Sequence, residues 1–166
     1  MASASTAPRL LGMATTAKTY EFPVGIHWLD GRLTLASATG KPDLEVATPP
    51  EFKHGIPGVW SPEDLLVTSA ASCYAVTLLA VAERRGVPLR SLDVAACGLV
   101  GQRPDGPFAF TEIELDVELV TDAGFEEEAR LAGEAAERGC LVAASLDVPI
   151  HLGLSVRAAE PLLAAT

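Results

Sequence analysis

The chain has 166 residues, of which 49% are hydrophobic and 5% aromatic, and its formal net charge is −10. This length and apolar content suffice for one globular domain, which we expect over residues 19–160 after a flexible N-terminal tail at 1–18. The 12 lysines and arginines are scattered, so no basic stripe is available for the phosphates of DNA or RNA or for an anionic membrane. We therefore expect neither nucleic acid nor membrane as a partner.

The first part of the domain predicts a meander of short strands. Apolar residues partly alternate in the segments 20–28, 32–37 and 44–48, and Asp30-Gly31 predicts the first hairpin turn. Three prolines and two glycines interrupt the segment 49–60, which is typical of a surface loop rather than of regular structure. We expect this loop to border the functional site.

The most complete pattern in the chain predicts a helix over Pro62–Arg85. Ser61 suits the N-cap, Pro62 suits the first helical position, and Gly86 suits the end of the helix. The segment is apolar nearly all round, so we expect a central core helix that is covered on most sides. Polar residues interrupt its apolar run, which favours a buried helix over a membrane span.

Beyond this helix the hydrophobic period changes to strict alternation. The alternating segments are 92–96 and 112–119, joined by a hairpin at 102–106, and a last strand at 148–156. A second helix is predicted to start near Thr121-Asp122, and its apolar stripe ends at Cys140, which therefore faces inward. The order of elements predicts an α+β domain in which two main helices pack on an antiparallel sheet.

Cys73 and Cys140 are the residues that we expect to carry the chemistry. Neither belongs to a Cys-x-x-Cys or Cys/His cluster, so no metal is expected. Two thiols in apolar surroundings are typical of a thiol-based redox enzyme, and the alternative is that both are small core hydrophobes. Three cysteines without a secretory leader indicate a reducing cytoplasm. Cys97 is interpreted as a packing residue.

A thiolate at Cys73 needs stabilisation, because burial alone disfavours the charged form. The candidate cations are Arg32, Arg103, Lys53 and His54. Arg32 is preferred, because an arginine stays charged when buried and can hold a thiolate, a peroxide oxygen and a carboxylate in one planar fork. Glu63, in the first turn of the central helix, is its natural carboxylate partner.

Helix geometry sets a condition on this arrangement. Ten residues separate Glu63 from Cys73, which is about 15 Å along a straight helix. One chain cannot easily bring both residues to a single arginine, whereas two copies with antiparallel central helices can bring Glu63 of one copy to Cys73 of the other. We therefore expect an intertwined homodimer with its sites at the interface.

The stretch Ser61–Cys73 reads Ser-Pro-Glu-Asp-Leu-Leu, then small residues, then Cys. It resembles the helix motif of the OsmC/Ohr family, the osmotically inducible protein C and organic hydroperoxide resistance proteins. The segments 28–32 and 46–51 resemble the first hairpin of that family and the strand after it, and 136–140 resembles the approach to its second cysteine. The resemblance spans residues 20–156.

This resemblance implies an OsmC-like fold, a homodimer and a thiol-dependent peroxidase that acts on organic hydroperoxides. Cys73 would be the peroxidatic nucleophile, and Cys140 would resolve its sulfenic acid as a disulfide. Arg32 and Glu63 would hold the thiolate and the peroxide. The reductant of the family is a dithiol, often a lipoyl group on a carrier protein, and no metal or bound organic cofactor is used.

A second hypothesis keeps the fold without the turnover. Leu141 follows Cys140 where the family usually has proline, and the first hairpin differs from the usual signature. These differences favour an OsmC-like dimer that binds a small apolar ligand or a partner without catalysis. The pair Cys73 and Cys140 together with Glu63 favours the peroxidase.

Overall fold

The computed structural model describes residues 18–104 and 106–160. The tail predicted at 1–18 lies outside the described residues except for Lys18. The elements are β1 Gly25–Asp30, β2 Leu33–Ser37, β3 Leu44–Ala47, α1 Pro62–Arg85, β4 Leu89–Gln102, β5 Phe108–Thr121, α2 Glu126–Gly139, α3 Leu141–Ser145 and β6 Ile150–Ala158. Two main helices and separate groups of strands confirm the predicted α+β class.

The described strands form two three-stranded sheets. The first sheet has the order β1-β2-β3 and is antiparallel throughout, and the second has the order β4-β5-β6. β4 and β5 form a long antiparallel hairpin, whereas β6 runs parallel to β5, with Ile150 opposite Ile113. The expectation of a purely antiparallel sheet is therefore corrected for the last strand. The helices α2 and α3 form the crossover that a parallel connection requires.

The ends of α1 lie where the sequence predicts them. The Ser61 hydroxyl accepts a hydrogen bond from the Asp64 N–H at 3.0 Å, and the Asp64 carboxylate accepts one from the Ser61 N–H at 2.8 Å. This reciprocal pair is a capping box, which satisfies two backbone donors at the start of the helix. At the other end Gly86 adopts a left-handed conformation with φ 68°, which glycine accepts without steric cost. Local chemistry alone therefore determines both ends of α1.

One face of α1 is buried and the opposite face is open in the single chain. Tyr74 and Leu78 are fully buried, whereas Val76 is 60% and Leu79 is 49% exposed. The expectation of a helix covered on most sides is thus met on one face only. By length and composition α1 could also cross a membrane, but its buried face packs on α2 and β4. We interpret it as the core helix.

The main core lies between the second sheet and the two long helices. Its β5 residues alternate inward, as the sequence predicts: Ile113, Leu115, Val117 and Leu119. Small residues of α2 face them, and Gly133 lies so close to Leu154 that an added Cβ would stand 2.5 Å from its Cδ2 atom. The close approach of α2 to β6 therefore depends on a residue without a side chain.

α2 begins at Glu126, a few residues later than the sequence predicts. Phe125 precedes it without a side-chain cap, and Gly124 takes a left-handed conformation with φ 91°. The turn after β5 therefore uses residues that the apolar periodicity had assigned to the helix. Cys140 ends the helix and faces the core, as predicted.

The first sheet leaves a line of apolar side chains in the open. These residues alternate along the N-terminal strand and its approach: Tyr20, Phe22, Val24, Ile26 and Trp28. The backbone of β3 joins the start of α1 through the Ala47 N–H, which donates to the Trp60 carbonyl at 2.8 Å. A continuous exposed apolar line of this kind is typical of a surface that another protein surface covers.

Candidate active site

The fold brings Cys73 and Cys140 into contact. Cys73 lies in the middle of α1 and is half-buried, and Cys140 lies between α2 and α3 and is 2% exposed. Their side chains are within hydrogen-bonding reach, and both are free thiols. The Tyr74 hydroxyl donates to the Gly133 carbonyl at 3.4 Å and thus ties α1 to α2 beside the pair.

Neutral donors determine the electrostatics at Cys73. Burial raises the pKa of the thiol, but hydrogen bonds from the Val142 backbone, the Cys140 side chain, the Leu141 backbone and the Thr77 side chain together hold it below its ordinary value. Leu141 and Val142 open α3, where backbone N–H groups have no partner within the helix. The thiolate at Cys73 is thus stabilised by peptide and hydroxyl groups.

The pKa of Cys140 is shifted in the opposite direction, above its ordinary value. Burial raises its pKa, the hydrogen bond and charge of Cys73 raise it further, and hydrogen bonds from the Ala143 and Val142 backbones only partly offset this. One thiol of the pair therefore ionises readily, while the other keeps its proton. The ionised form is thus favoured at Cys73, and the protonated form is favoured at Cys140 beside it.

Arg32 does not reach the thiols within one chain. It is exposed in the turn between β1 and β2 and lines a cavity of about 420 Å³ together with Asp30, His54 and Ile56. Among residues 18–104 and 106–160 it forms no ion pair. No lysine or arginine contributes to the shifted pKa of Cys73. The cation that the sequence leads us to expect beside the thiolate is therefore absent from the described part of the single chain.

Glu63 lies in the first turn of α1 with one carboxylate oxygen in an unusual position. Its Oε2 atom is buried and has no hydrogen-bond partner among the described residues. Glu63 also lines a cavity of about 350 Å³ that includes Trp60 and Phe110. A buried carboxylate oxygen without a partner is costly, so a donor from outside the single chain would relieve it.

A groove of about 670 Å³ lies between the open face of α1 and β4. Small and apolar residues line it, among them Ala71, Ala75, Leu79 and Val94. The groove runs beside the helix face opposite to the one that holds Cys73. It therefore gives no route to the thiol.

Three residues that hydrogen-bond to Cys73 are not predicted by the sequence analysis. Thr77 lies four residues after Cys73, and this helical spacing could have indicated that it reaches the thiol. Leu141 and Val142 act through their backbone N–H groups, for which no side-chain pattern exists. Within the described residues, no group of three His, Cys, Asp or Glu side chains is suited to a metal ion.

Comparison with known proteins gives one family and many similar structures. The model of the family described as OsmC-like protein matches residues 55–155. No curated protein matches the chain. An OsmC-like protein of unknown function from Vibrio cholerae superposes with a TM-score of 0.76 at 16% identity, covering 82% of this chain and 100% of that one.

Two further solved structures that are similar to this chain are named as organic hydroperoxide resistance proteins. An organic hydroperoxide resistance protein OsmC from Legionella pneumophila superposes with a TM-score of 0.67 at 22% identity. The match covers 84% of this chain and 98% of the Legionella chain. An organic hydroperoxide resistance protein from Elizabethkingia anophelis, with thiocyanate bound, superposes with a TM-score of 0.66 at 21% identity. The match covers 86% of this chain and 99% of the Elizabethkingia chain. At such identities these likenesses establish the fold.

Proposed function

Since the chain belongs to the OsmC-like protein family and brings two thiols into contact, we propose that it is a thiol-dependent peroxidase for organic hydroperoxides. The resemblance recognised in the sequence is confirmed by the family match over residues 55–155. The observation that carries the proposal is the contact between the half-buried Cys73 thiol and the buried Cys140 thiol, and the lowered pKa of Cys73 beside the raised pKa of Cys140 agrees with it. The names of the similar structures from Legionella and Elizabethkingia support it.

The first step is attack by the Cys73 thiolate on the terminal oxygen of the hydroperoxide. The S–O bond forms, the O–O bond breaks, and the alkoxide takes a proton from water and leaves as an alcohol. Cys73 is then a sulfenic acid, two electrons more oxidised than the thiol. The hydrogen bonds from Leu141, Val142 and Thr77 favour the ionised thiol that this attack requires.

The second step joins the two cysteines. The Cys140 sulfur attacks the sulfenic sulfur, the hydroxyl leaves with the thiol proton as water, and a disulfide remains. Because the two side chains are already in contact, the step requires little backbone movement. An external dithiol then restores both thiols by exchange. Such a transient disulfide suits a reducing cytoplasm, where we place the protein.

We extend the proposal to a homodimer in which the α1 helices of two copies pack antiparallel. Two features support it: the exposed side chains of Val76 and Leu79 on α1, and the exposed apolar line of the first sheet. In such a dimer Glu63 of one copy approaches Cys73 of the other. Arg32 between them would give the buried Oε2 atom the donor that it lacks.

The test of the peroxidase is a count of thiols. One equivalent of cumene hydroperoxide is added to the reduced protein, the remaining thiols are counted, and disulfides are mapped by peptide mass spectrometry. We expect loss of two thiols and a Cys73–Cys140 peptide, absent in Cys73→Ser and retained in Cys97→Ser. Survival of all thiols would remove the proposal.

The second candidate is a dimer that binds a small apolar ligand without turnover. It is favoured by one observation: neither the groove between α1 and β4 nor the cavity at Glu63 includes a thiol of the pair. This reading predicts that the thiols survive the hydroperoxide while an apolar fluorescent probe binds to the protein. The mutation Ala75→Trp would then abolish probe binding, because it fills the groove.

A further inference from the structure

A cavity of about 420 Å³ lies between the β1–β2 hairpin and the loop that follows β3. Its titratable and charged side chains are Asp30 and Arg32 from the hairpin and His54 from the loop, and Leu33 and Ile56 form its apolar wall. We call this feature the hairpin cavity. Two segments that are distant in sequence thus bring together groups that can hold an anion, move a proton and contact an apolar substituent.

His54 has an uncommon backbone conformation. Its φ is 66°, and in the described ranges it is the only residue other than glycine with a positive φ. The left-handed region suits glycine, is tolerated by asparagine and is sterically unfavourable for most other side chains. Such conformations persist where the surrounding structure enforces them, and they cluster at functional sites. An imidazole therefore stands where backbone conformation alone would favour glycine.

The loop around His54 is held by backbone contacts. The Ile56 N–H donates to the Thr48 carbonyl at 3.0 Å. A Cβ added to Gly55 would stand 2.0 Å from the Pro49 carbonyl oxygen, so the two backbones touch there and only glycine fits. These contacts hold His54 at the wall of the hairpin cavity.

The proposed peroxidase reaction needs a proton donor that the thiol pair does not supply. When the Cys73 thiolate attacks a hydroperoxide, the leaving group is an alkoxide, which departs poorly unless it is protonated. A positioned acid accelerates such a step by about 10²- to 10⁴-fold. The two side chains that hydrogen-bond Cys73 are Thr77 and Cys140. A hydroxyl is a very weak acid, and burial raises the pKa of the Cys140 thiol, so neither suits this role.

We propose that His54 is the general acid of the peroxidase, and that its imidazolium protonates the leaving oxygen as the O–O bond breaks. The proposal rests on the proposed function and on the shared site of the proposed dimer. In that dimer Arg32 lies beside Cys73 of the other copy. Because His54 and Arg32 line one cavity, His54 reaches the same site.

The step balances in electrons and protons. The Cys73 sulfur gives an electron pair to the terminal oxygen, the electron pair of the O–O bond goes to the leaving oxygen, and the proton from His54 turns that oxygen into an alcohol. Cys73 becomes a sulfenic acid, two electrons more oxidised than the thiol. The neutral imidazole regains its proton from solvent. Arg32 is complementary to the charge that develops on the peroxide, and Asp30 can accept a hydrogen bond from the protonated imidazole.

Two oxidants separate proton donation from every other role of His54. Cumene hydroperoxide leaves as an alkoxide, which needs a proton, whereas 3-chloroperoxybenzoic acid leaves as a carboxylate, which does not. Both carry an aromatic ring, and both oxidise a thiolate to a sulfenic acid. All proteins carry Cys97→Ser, so that the thiols that can be lost are Cys73 and Cys140. The rate of thiol loss is measured by quenched flow at neutral pH.

The variant H54N removes the acid and suits the local backbone, because asparagine tolerates the left-handed region. We expect it to slow the reaction with cumene hydroperoxide by about 100-fold and the reaction with the peracid by less than about twofold. The variant H54G also fits the φ of 66° and leaves space in the hairpin cavity. Added imidazole should therefore raise its rate with cumene hydroperoxide by about tenfold.

The matched control is H151N, at an exposed histidine of β6 that lies outside the hairpin cavity. It should react like the unmodified protein with both oxidants. The variant R32Q provides the contrast within the cavity. It should slow both oxidants, because a cation that holds the peroxide serves either leaving group.

Three results would overturn the role of His54. They are an unchanged rate of H54N with cumene hydroperoxide, an equal slowing of H54N with both oxidants, and failure of imidazole to rescue H54G. Under each of them the unmodified protein can still lose two thiols to cumene hydroperoxide, so the peroxidase would stand with another proton donor. If the unmodified protein loses no thiols, the proposed function itself fails and the role of His54 fails with it.

Discussion

Thr77 lies one helical turn beyond Cys73 on α1, and its side chain hydrogen-bonds the Cys73 sulfur. The helix itself therefore supplies one of the groups that hold the pKa of this thiol below its ordinary value. The backbone donors come from Leu141 and Val142 at the start of α3, directly after Cys140. Two elements that only the tertiary fold brings together thus supply the hydrogen bonds to this thiol.

The mutation Thr77→Val tests this relationship with almost no change of side-chain volume. Loss of the hydroxyl removes a hydrogen bond to the thiolate, so the pKa of Cys73 rises and its reaction with iodoacetamide at pH 7 slows by about threefold. Alkylation of the Cys73 peptide is followed by mass spectrometry. Thr68→Val, on the exposed part of the same helix, is the control and should react like the unmodified protein. An unchanged rate in Thr77→Val would contradict the role of the hydroxyl.

The sequence predicts α1 to the residue, because the signals at its ends are local: a serine cap, a proline and a terminal glycine. The inward position of Cys140 also follows from helical periodicity. α3 could not be predicted, because five residues of Leu-Val-Ala-Ala-Ser carry no cap or period of their own. Its position, and with it the backbone donors to Cys73, depends on packing against α1.

Two other differences between the predicted and the observed structure also arise from tertiary packing. The parallel direction of β6 depends on where α2 and α3 return the chain, which no local pattern records. Chemical grounds predict Arg32 beside Cys73, but in the structure it is exposed in the turn between β1 and β2. The proposed dimer would bring Arg32 to the thiol through a second copy, and local sequence does not encode that contact.

Because Tyr74 is buried, we expect the free energy of unfolding to fall at alkaline pH. Burial, and to a smaller extent the charge of Glu137, raise the pKa of its phenol to about 12 from an ordinary 10.0. Because the folded state favours the neutral phenol, this contribution to stability is complete below pH 10 and is lost as the pH rises toward 12.

Tyr74→Phe should therefore flatten the pH dependence. Between pH 9 and pH 11 the free energy of unfolding should fall by about 1 kcal/mol less in this variant than in the unmodified protein. Urea unfolding at the two pH values measures the difference. Tyr20→Phe, at an exposed tyrosine, should leave the pH dependence as it is. An identical fall in all three proteins would show that Tyr74 is not the titrating group.

Gly98 determines how closely the first half of α1 approaches β4. A Cβ added there would stand 2.5 Å from the Val67 Cγ2 atom and 2.6 Å from the Phe110 Cε1 atom. Gly98→Ala should therefore lower the free energy of unfolding by about 1 to 3 kcal/mol through overpacking.

The matched rescue is Gly98→Ala combined with Val67→Ala, which removes the nearest clashing atom. We expect the double variant to be more stable than the sum of the two single effects predicts, as measured by urea unfolding. If the effects of the two mutations on the free energy of unfolding simply add, the side chain of Val67 moves aside without cost. Contact with α1 would then not be the reason that position 98 requires glycine.

The shared site proposed for the dimer predicts complementation between two inactive variants. Glu63→Gln leaves Cys73 in place, and Cys73→Ser leaves Glu63 in place, so a mixed dimer contains one site with both native residues. If each site takes Glu63 from one copy and Cys73 from the other, unfolding and refolding an equimolar mixture should restore about a quarter of the native peroxidase activity. Each variant that is unfolded and refolded alone should stay near background activity. A Cys73→Ser protein that also carries Glu63→Gln is the control, because its mixture with Glu63→Gln contains no complete site in any pairing. Recovery equal to that control would mean that each chain uses its own Glu63 or none, and a monomer in sedimentation analysis would remove the shared site altogether.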